Sequence, residues 1–398
     1  MTRRYSLSLY LAGAVAARAG DEMSGPALML AGFALTGSTV EASSLLAGIT
    51  IAAAVGGPVL GVLLDRSGRP GRLLAGALVL YAAGLGVILV GLGRLPFGVT
   101  ILTAVVTGLL GPALSGGWTA QLPRVVPGDR LPRANALDAM TFSVASLAGP
   151  ALAGGAAEVL GAPSAVVISV VLIASALPAA WMLPARPGRA RGARRASVIS
   201  DLTAGIRLIA GRPPLARATL ASVVSCVSQG MLTACVPLLG ERALGGAGRG
   251  AVLLSCTATS ALVANAVLAR FPRSVAPDTI IWAGVLVQAV ALALAAVGPP
   301  VVLIVAVLAA GVGEGPQLAA LFAIRHREAP EQLRGQIFTT GASLKITGFA
   351  LGAAVTGPLV AWSLPGALAL AASVAVLAAL AFLAIPSETI DSSERHVC

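Results

Sequence analysis

The chain has 398 residues, of which 57% are hydrophobic and only 11% are charged. Soluble proteins of this size are about 25% charged, so the composition excludes a soluble globular protein and indicates the membrane class. In a soluble protein the net charge of +11 would suggest a nucleic-acid partner. In a membrane protein no such partner is expected, and the informative property is the side of the membrane on which the basic residues lie.

Apolar stretches of about 20 residues, long enough to cross a bilayer as a helix, recur along the whole chain. We therefore predict an all-α membrane protein with twelve transmembrane helices. The predicted spans are residues 6–33, 45–64, 73–92, 97–120, 134–158, 163–183, 215–239, 250–270, 279–298, 300–323, 337–361 and 364–385.

Arginine and lysine are distributed unevenly between these spans. With the N-terminus inside, the inner segments hold 22 of the 27 basic residues and the outer loops hold three. Since cytoplasmic loops are enriched in Arg and Lys, both termini are predicted to be cytoplasmic. The chain then divides into an N-terminal six-helix bundle, a basic cytoplasmic linker, a C-terminal six-helix bundle and a cytoplasmic tail, at residues 1–183, 184–214, 215–386 and 387–398. The linker is interpreted as a solvated connection, with binding to anionic membrane lipid as the alternative.

The two predicted bundles resemble each other weakly. Residues 127–131 (PGDRL) precede the fifth span, and residues 330–334 (PEQLR) precede the eleventh. A parallel repeat of two six-helix halves is typical of transporters whose substrate site lies between two bundles near the middle of the membrane.

The segment between the second and third spans, residues 61–72, reads GVLLDRSGRPGR. Its pattern of charges and glycines consists of Gly61, Asp65, Arg66, Gly68, Arg69 and Arg72. This loop resembles the signature loop of the major facilitator superfamily, G-x-x-x-D-R-x-G-R-x-x-R. The resemblance implies that Asp65 and its basic neighbours bridge the halves when the outside is open, with the acid at the positive N-terminal end of the eleventh span. Gly68 is expected to permit a tight reversal. The alternative is a generic charged cytoplasmic turn.

The fifth span contains Gly149, Pro150, Gly154 and Gly155 in the sequence GPALAGG. This is similar to the G-P-x-x-G-G motif of drug exporters of the superfamily, and implies export. Pro150 is expected to kink the helix, and the glycines to allow close approach of a neighbouring span. The alternative is ordinary membrane-helix packing.

Residues 122–137 resemble siderophore and macrolide exporters of the same superfamily. Many exporters also carry an arginine inside the fourth span. Residues 97–120 hold no charged residue here, so a mechanism that uses such an arginine does not transfer.

Three ionisable residues, Arg18, Asp21 and Glu22, lie near the centre of the first span. Spacings of three and four place both acids beside Arg18 on one helix face. One acid is then in excess, and a low dielectric favours its neutral form. We predict that Asp21 or Glu22 is the protonation site and that Arg18 competes with the proton. The alternative is a self-neutralising Arg18–Glu22 pair that only orients the helix.

Further polar residues at depth are candidates for substrate or proton binding. Glu314 in the tenth span is predicted to bind a cationic substrate or a second proton; the alternative is a buried packing pair with Lys345. Gln229 in the seventh span is a candidate polar contact. Asp138 is interpreted as a helix-start acid, and Trp118 as a member of the interfacial aromatic belt, as is Trp181. His326 is placed in a cytoplasmic segment.

No phosphate-binding loop can occur, because Lys345 is the single lysine and no Gly–Lys pair exists. Neither a metal cluster nor a catalytic domain is evident, so we expect no enzyme activity, no cofactor and no metal. The predicted function is a plasma-membrane, proton-coupled multidrug-type antiporter. It would export small drug-like or natural-product molecules by alternating access, with the substrate, protons and lipid as partners, as a monomer. The alternatives are an importer or uniporter of a small metabolite, and a non-transporting receptor or scaffold.

Overall fold

The computed structural model describes residues 5–185, 198–246, 249–297 and 299–386. The predicted tail, 387–398, and the most basic part of the predicted linker lie outside these ranges. The α-helices of the described part are α1 (Leu7–Thr36), α2 (Thr39–Arg66), α3 (Pro70–Gly91), α4 (Phe97–Gly108), α5 (Leu131–Leu160), α6 (Ala162–Ser175), α7 (Leu177–Trp181), α8 (Val198–Gly211), α9 (Pro213–Leu244), α10 (Gly250–Arg270), α11 (Pro277–Val297), α12 (Pro300–Glu328), α13 (Arg334–Trp362) and α14 (Leu364–Ala384).

Eleven helical segments within the described ranges are long and apolar enough to cross a membrane. α1 is not among them, although its 30 residues exceed the length of a bilayer crossing. It carries Arg18, Asp21 and Glu22 at its centre, and those charges set it apart from the other long helices. The twelve predicted spans each overlap one of the long helical segments, including α1.

The first connection shows how local chemistry sets helix ends. The Ser6 hydroxyl accepts a hydrogen bond from the Leu9 amide and begins α1, and Gly37 ends it with a φ of 67°. Glycine reaches this left-handed conformation without a Cβ penalty. Ser38 then accepts from the Glu41 amide and begins α2, so the two helices are joined by a two-residue turn.

The fourth predicted span is not a continuous α-helix. α4 ends at Gly108, and a π-helical turn occupies Ala113–Gly117 after an irregular step. A Cβ at Gly108 would overlap the Ile49 carbonyl of α2, so α4 and α2 are in backbone contact here. π-helical turns inside α-helices are frequent at functional sites.

Trp118 follows this turn and is fully buried, with its ring centroid 6.0 Å from that of Tyr10. Its predicted place in the interfacial belt is therefore wrong, because the ring fills the space that α1 leaves at Gly13. Trp181, in contrast, is exposed and lies under the Arg72 guanidinium, 5.0 Å from it.

Two large hydrophobic cores and one small cluster hold the fold together. One core is built from α1 to α7, between Tyr10 and Leu183, and the other from α8 to α14, between Ile209 and Phe382. The small cluster joins them and contains Ala136, Ala139, Ala319, Phe322 and Phe338, together with Ala120 and Ala269. We refer to α1–α7 as the first half and to α9–α14 as the second half, with α8 in the connection between them.

α8 lies within the stretch predicted as a linker and was missed as a helix. It is too short to span a membrane, and it packs against α2, α9 and α13. Asp201 pairs with Arg66 at 2.8 Å, and the Leu202 carbonyl accepts from the Gln336 side chain at 2.8 Å. The linker is thus partly structured and fastened to both halves.

The two halves meet mainly at one end of the molecule. We call this the closed end; it holds the α2–α3 turn (67–69), the α4–α5 connection (120–130) and the α12–α13 connection (329–333). There Arg124 pairs with Glu331 at 3.3 Å, and Arg273 donates to the Asp129 carbonyl at 2.9 Å. Towards the opposite end, which we call the far end, α5 and α13 become exposed at Val159, Leu160, Val355 and Trp362.

Candidate functional site

The Arg18 guanidinium of α1 is bound by the fourth span and α5. Its Nη1 donates to Asp138 Oδ1 at 2.9 Å, and its Nη2 donates to Thr119 Oγ1 at 2.8 Å. Nη1 also donates to the Thr141 hydroxyl, and the guanidinium carbon lies 3.7 Å from the centroid of the Phe142 ring. Arg18 is 2% exposed and Asp138 is 0% exposed, so the pair is a buried unit with no net charge.

Asp138 is engaged through both carboxylate oxygens. Besides binding Arg18, it accepts from the Thr119 hydroxyl at 2.8 Å and from the Tyr10 hydroxyl at 3.2 Å. Asp138 lies two turns inside α5, which begins at Leu131, so its interpretation as a helix-start acid is wrong. The sequence signal for Asp138 as a buried ion-pair partner was its position as an acid within a predicted membrane span.

The predicted grouping of Arg18 with Asp21 and Glu22 is also wrong, and so is the alternative pair of Arg18 with Glu22. Within the described residues the ion-pair partner of Arg18 is Asp138, and no ion pair reaches Asp21 or Glu22. The physical reason is geometric. The Asp138 carboxylate on a neighbouring helix accepts from both terminal nitrogens of the guanidinium, and the Thr119 and Thr141 hydroxyls accept further hydrogen bonds from them.

Asp21 instead faces α3. The Tyr81 hydroxyl donates to Asp21 Oδ1 at 2.7 Å, and it lies 3.1 Å from the Ser24 hydroxyl. Ser24 in turn donates to the Asp21 carbonyl at 2.7 Å. A half-buried carboxylate is thus held by a tyrosine and without a cation, and sequence reasoning did not single out Tyr81 or Ser24.

Glu22 lies one turn beyond Arg18 towards the far end, and its side chain is exposed. A Cβ at Gly149 of α5 would stand 2.7 Å from Glu22 Cβ, so the backbones of α1 and α5 are in close contact at this acid. Gly149 is therefore a motif glycine at which α5 approaches α1 closely. At Gly154 and Gly155 an added Cβ would meet open space, so the prediction of helix contact there is wrong. α5 is helical through Pro150.

Asp65 joins the halves at the closed end, as the signature loop implied. Its Oδ1 accepts from the Gly335 amide at 2.9 Å and its Oδ2 from the Gln336 amide at 2.8 Å. These are the first amides of α13, so the predicted contact with the positive helix end is confirmed. Gly61, one turn earlier, is required because a Cβ there would overlap the Gln336 backbone.

The other signature residues have varied surroundings. Arg66 pairs with Asp201 of α8, and Arg72 stacks on Trp181. Arg69 directly precedes α3. Gly68 has ordinary backbone angles, so the turn does not depend on its left-handed freedom, contrary to expectation.

An aromatic seam crosses between the halves next to Arg18. Phe142 of α5 lies 5.7 Å from Phe322 of α12, which lies 5.9 Å from Phe338 of α13, as measured between ring centroids. On the far side of the seam, His326 lies 4.5 Å from Phe338, and the Arg325 guanidinium lies 5.8 Å from the same ring. The seam therefore runs from one buried arginine to another.

Arg325 and His326 both belong to α12 and are buried, at 2% and 6% exposure. His326, predicted in a cytoplasmic segment, lies in the last turn of α12, which continues to Glu328 and packs against α13. Arg325 Nε and Nη2 and both His326 nitrogens have no hydrogen-bond partner among the described residues. The guanidinium lies against Gly341, where a Cβ would overlap it.

Glu314 and Lys345 face the same region of the second half without touching. No ion pair joins them within the part of the chain that the structure describes, although their charges act on each other across space. The Cys226 thiol of α9 lies within electrostatic reach of Glu314, Lys345 and Arg325. Gln229 is half-buried on the same helix, one turn further along.

A family model for the Major Facilitator Superfamily matches residues 10–344. The chain is 30% identical over 356 residues to y4rN of Sinorhizobium fredii, described as an uncharacterized MFS-type transporter, with 87% of each chain covered.

Solved structures share the fold. The human organic anion transporter MFSD10 (TETRAN) has a TM-score of 0.77 at 16% identity, covering 96% of this chain and 100% of that one. FucP in the outward conformation has a TM-score of 0.71 at 17% identity over 97% of this chain and 100% of its own. A bacterial homologue of the iron transporter ferroportin, in the outward-facing state, has a TM-score of 0.76 at 15% identity over 95% and 98%. The chain belongs to the Major Facilitator Superfamily and is a multi-span membrane transporter.

Proposed function

We propose that this transporter exports small organic molecules of the drug or natural-product type in exchange for protons, by alternating access across the plasma membrane. The observation that carries the proposal is the state of two acids in α1. Because Arg18 is taken by Asp138, Asp21 and Glu22 lie at membrane depth without a cation in the described structure. A proton is the simplest counter-charge for such a group.

The proposed topology has twelve spans, with α1 as the first and both termini in the cytoplasm. The two rocking units are 1–183 and 215–386, and the linker, 184–214, is a solvated connection between them on the cytoplasmic side. The 22-to-3 distribution of basic residues and the separate hydrophobic cores of the halves support this arrangement. The unit of transport is the monomer.

The conformation proposed for this structure is outward-facing. The closed end carries the signature loop, the aromatic seam and the Arg124–Glu331 pair, and it would face the cytoplasm. α5 and α13 are exposed towards their far ends. Two of the structural neighbours, FucP and the ferroportin homologue, are described as outward conformations.

The proton steps follow from the surroundings of the two acids. Glu22 is exposed and accepts a proton from the outer side. Asp21 receives its hydrogen bonds from a tyrosine, whose hydroxyl can turn to Ser24 when the carboxyl becomes neutral. Rocking of the halves then presents the protonated site to the cytoplasm, where the proton leaves and the substrate enters.

Export is favoured over import by the Gly149–Pro150 motif, whose first glycine packs on the protonation region at Glu22. An importer or uniporter remains the competing function because one of the neighbours is described as a fucose:proton symporter. At 17% identity, the similarity to that symporter shows a shared fold and does not extend to its direction of transport.

Proteoliposomes containing a pH-sensitive dye test the proposal. An imposed pH gradient should drive movement of at least one probe from a panel of coumarin, ethidium and 1-naphthoate, with protons moving in the opposite direction. Asp21→Asn or Glu22→Gln should abolish gradient-driven movement of the probe while leaving passive exchange. Glu158→Gln removes an exposed carboxylate near the end of α5 and serves as the matched control.

Three results would overturn parts of the proposal. Protons moving in the same direction as the probe identify an importer-type symporter. Full gradient-driven transport in both carboxylate variants removes Asp21 and Glu22 from the mechanism. Movement that ignores the pH gradient indicates a uniporter.

A further inference from the structure

The second half contains a buried arginine without a built-in counter-charge. Arg325 is 2% exposed, and neither its Nε nor its Nη2 has a hydrogen-bond partner among the described residues. No carboxylate within those residues forms an ion pair with it. An unpaired guanidinium in a low-dielectric interior costs several kcal/mol, so such groups are normally paired or bind a ligand.

A second cation, Lys345 of α13, lies one helical turn from Gly341, the residue that contacts the Arg325 guanidinium. Gly341, Lys345, Gly348 and Gly352 are spaced by four, three and four residues, so they share one face of α13. On that face Gly341 contacts the Arg325 guanidinium, and a Cβ at Gly348 would stand 2.7 Å from the Val223 carbonyl of α9. Lys345 therefore points between α9 and α12. It is half-buried, and it is the single lysine of the chain.

The charges of this region do not balance. Arg325 and Lys345 contribute two positive charges, and Glu314 contributes one negative charge that is not in contact with either. Protons can neutralise the surplus acids of α1, but binding a proton cannot neutralise a cation, and an arginine does not release its own. While Lys345 carries its proton, the counter-charge that balances this region is an anion.

We propose that Lys345 and Arg325 form a subsite for the negatively charged group of an organic anion with an aromatic or otherwise apolar body. This inference rests on the proposed function and adds the class of its substrate. In the present conformation the anion binds Lys345, which is partly exposed. When the halves part at the closed end, Arg325 becomes accessible one turn nearer that end. Phe322 and Phe338, uncovered as Phe142 moves away with the first half, receive the apolar body.

Glu314 has a defined place in this arrangement. Its carboxylate lies within electrostatic reach of Lys345 and competes with the substrate anion for it. Neutralising Glu314 should therefore strengthen anion binding. A cationic substrate held by Glu314 is the opposite arrangement and predicts the opposite result.

The test is the ligand-induced rise in melting temperature of the detergent-purified full chain. The probes are benzoate, 1-naphthoate and 1-pyrenecarboxylate, each with its methyl ester and the corresponding arylmethylammonium ion. We expect carboxylates to raise the melting temperature more than the esters do. Lys345→Gln should weaken carboxylate binding by about 10–100-fold, since a hydrogen bond to a charged group is worth about 1.5–3 kcal/mol. Lys345→Arg should restore most of it.

Two further variants keep the test decisive. Glu314→Gln should bind carboxylates more tightly than the parent chain, a gain that misfolding cannot imitate. Arg242→Gln removes an exposed cation near the end of α9 and should leave binding unchanged. The proposal is overturned if esters and carboxylates bind alike at all three ring sizes, or if the ammonium probes bind best and require Glu314. Proton-coupled transport of neutral or cationic probes with intact Asp21 dependence would then leave the proposed function standing.

Discussion

Arg18 and Arg325 are buried to the same extent, at 2% exposure each, and each lies beside a phenylalanine at the boundary between the halves. They differ in their partners. Arg18 is bound by a carboxylate, two hydroxyls and an aromatic face, and only its Nε lacks a partner among the described residues. Arg325 has no carboxylate partner among those residues, and both its Nε and its Nη2 lack a hydrogen bond. Arg18 therefore has a structural role, whereas Arg325 requires a counter-charge that the described residues do not supply.

This difference separates a structural charge from a functional one. Judged by sequence spacing alone, Arg18 would have neutralised one of the two acids beside it. Since Asp138 takes Arg18, the first half retains acids for protons, and the second half retains cations for an anion. Phe142, Phe322 and Phe338 lie between the two arginines and keep them apart from water while the closed end is shut.

The largest effect is expected from removing the partner of Arg18. Asp138→Ala turns Arg18 into a buried cation without a counter-charge and should lower the free energy of unfolding by about 3–5 kcal/mol. Thermal and denaturant unfolding of the purified protein in detergent measures it. The double variant Arg18→Gln with Asp138→Asn should recover most of the loss. A loss under about 1 kcal/mol for Asp138→Ala would contradict the structural assignment of the pair.

The matched change in the second half should have the opposite sign. Arg325→Gln removes unpaired buried donors and should raise the unfolding free energy of the ligand-free protein by about 1–3 kcal/mol. The same unfolding measurement, made beside Arg18→Gln, gives the comparison directly. If Arg325→Gln destabilises the protein as strongly as Arg18→Gln does, then Arg325 has a structural partner and the contrast between the arginines fails.

A smaller effect is expected at the closed end. Asp65→Asn weakens two hydrogen bonds to the first amides of α13, a change of about 0.5–2 kcal/mol by analogy with helix caps. We expect the closed end to open more often, which faster thiol labelling of a Gln336→Cys reporter in a cysteine-free background would show. Glu158→Gln removes an exposed acid at the far end and controls for general loss of charge. Unchanged labelling would mean that Asp65 does not hold the halves together.

The helices were predictable because hydropathy alone locates membrane spans. The Asp65 contact was predictable because residues 61–72 resemble the superfamily's signature loop, which implies that its acid bridges the halves. The partner of Arg18 was not predictable from spacing, since Asp138 lies 120 residues away in the chain and on another helix. Arg325 and His326 were assigned to a loop because basic residues usually mark one, yet Gly341 leaves room for the guanidinium and α12 continues. α8 was missed because the Pro-, Gly- and Arg-rich composition of residues 184–214 predicted a linker. The short helix within it is stabilised by contacts with both halves, which the sequence does not reveal.

Alternating access is the central claim, and cross-linking across the closed end tests it most directly. Arg124→Cys and Glu331→Cys, in a chain whose native cysteines are replaced, place thiols on opposite halves at a contact of 3.3 Å between the original side chains. A short reducible bifunctional reagent should stop gradient-driven transport in proteoliposomes, and reduction should restore it. Undiminished transport with the cross-link complete would contradict the account.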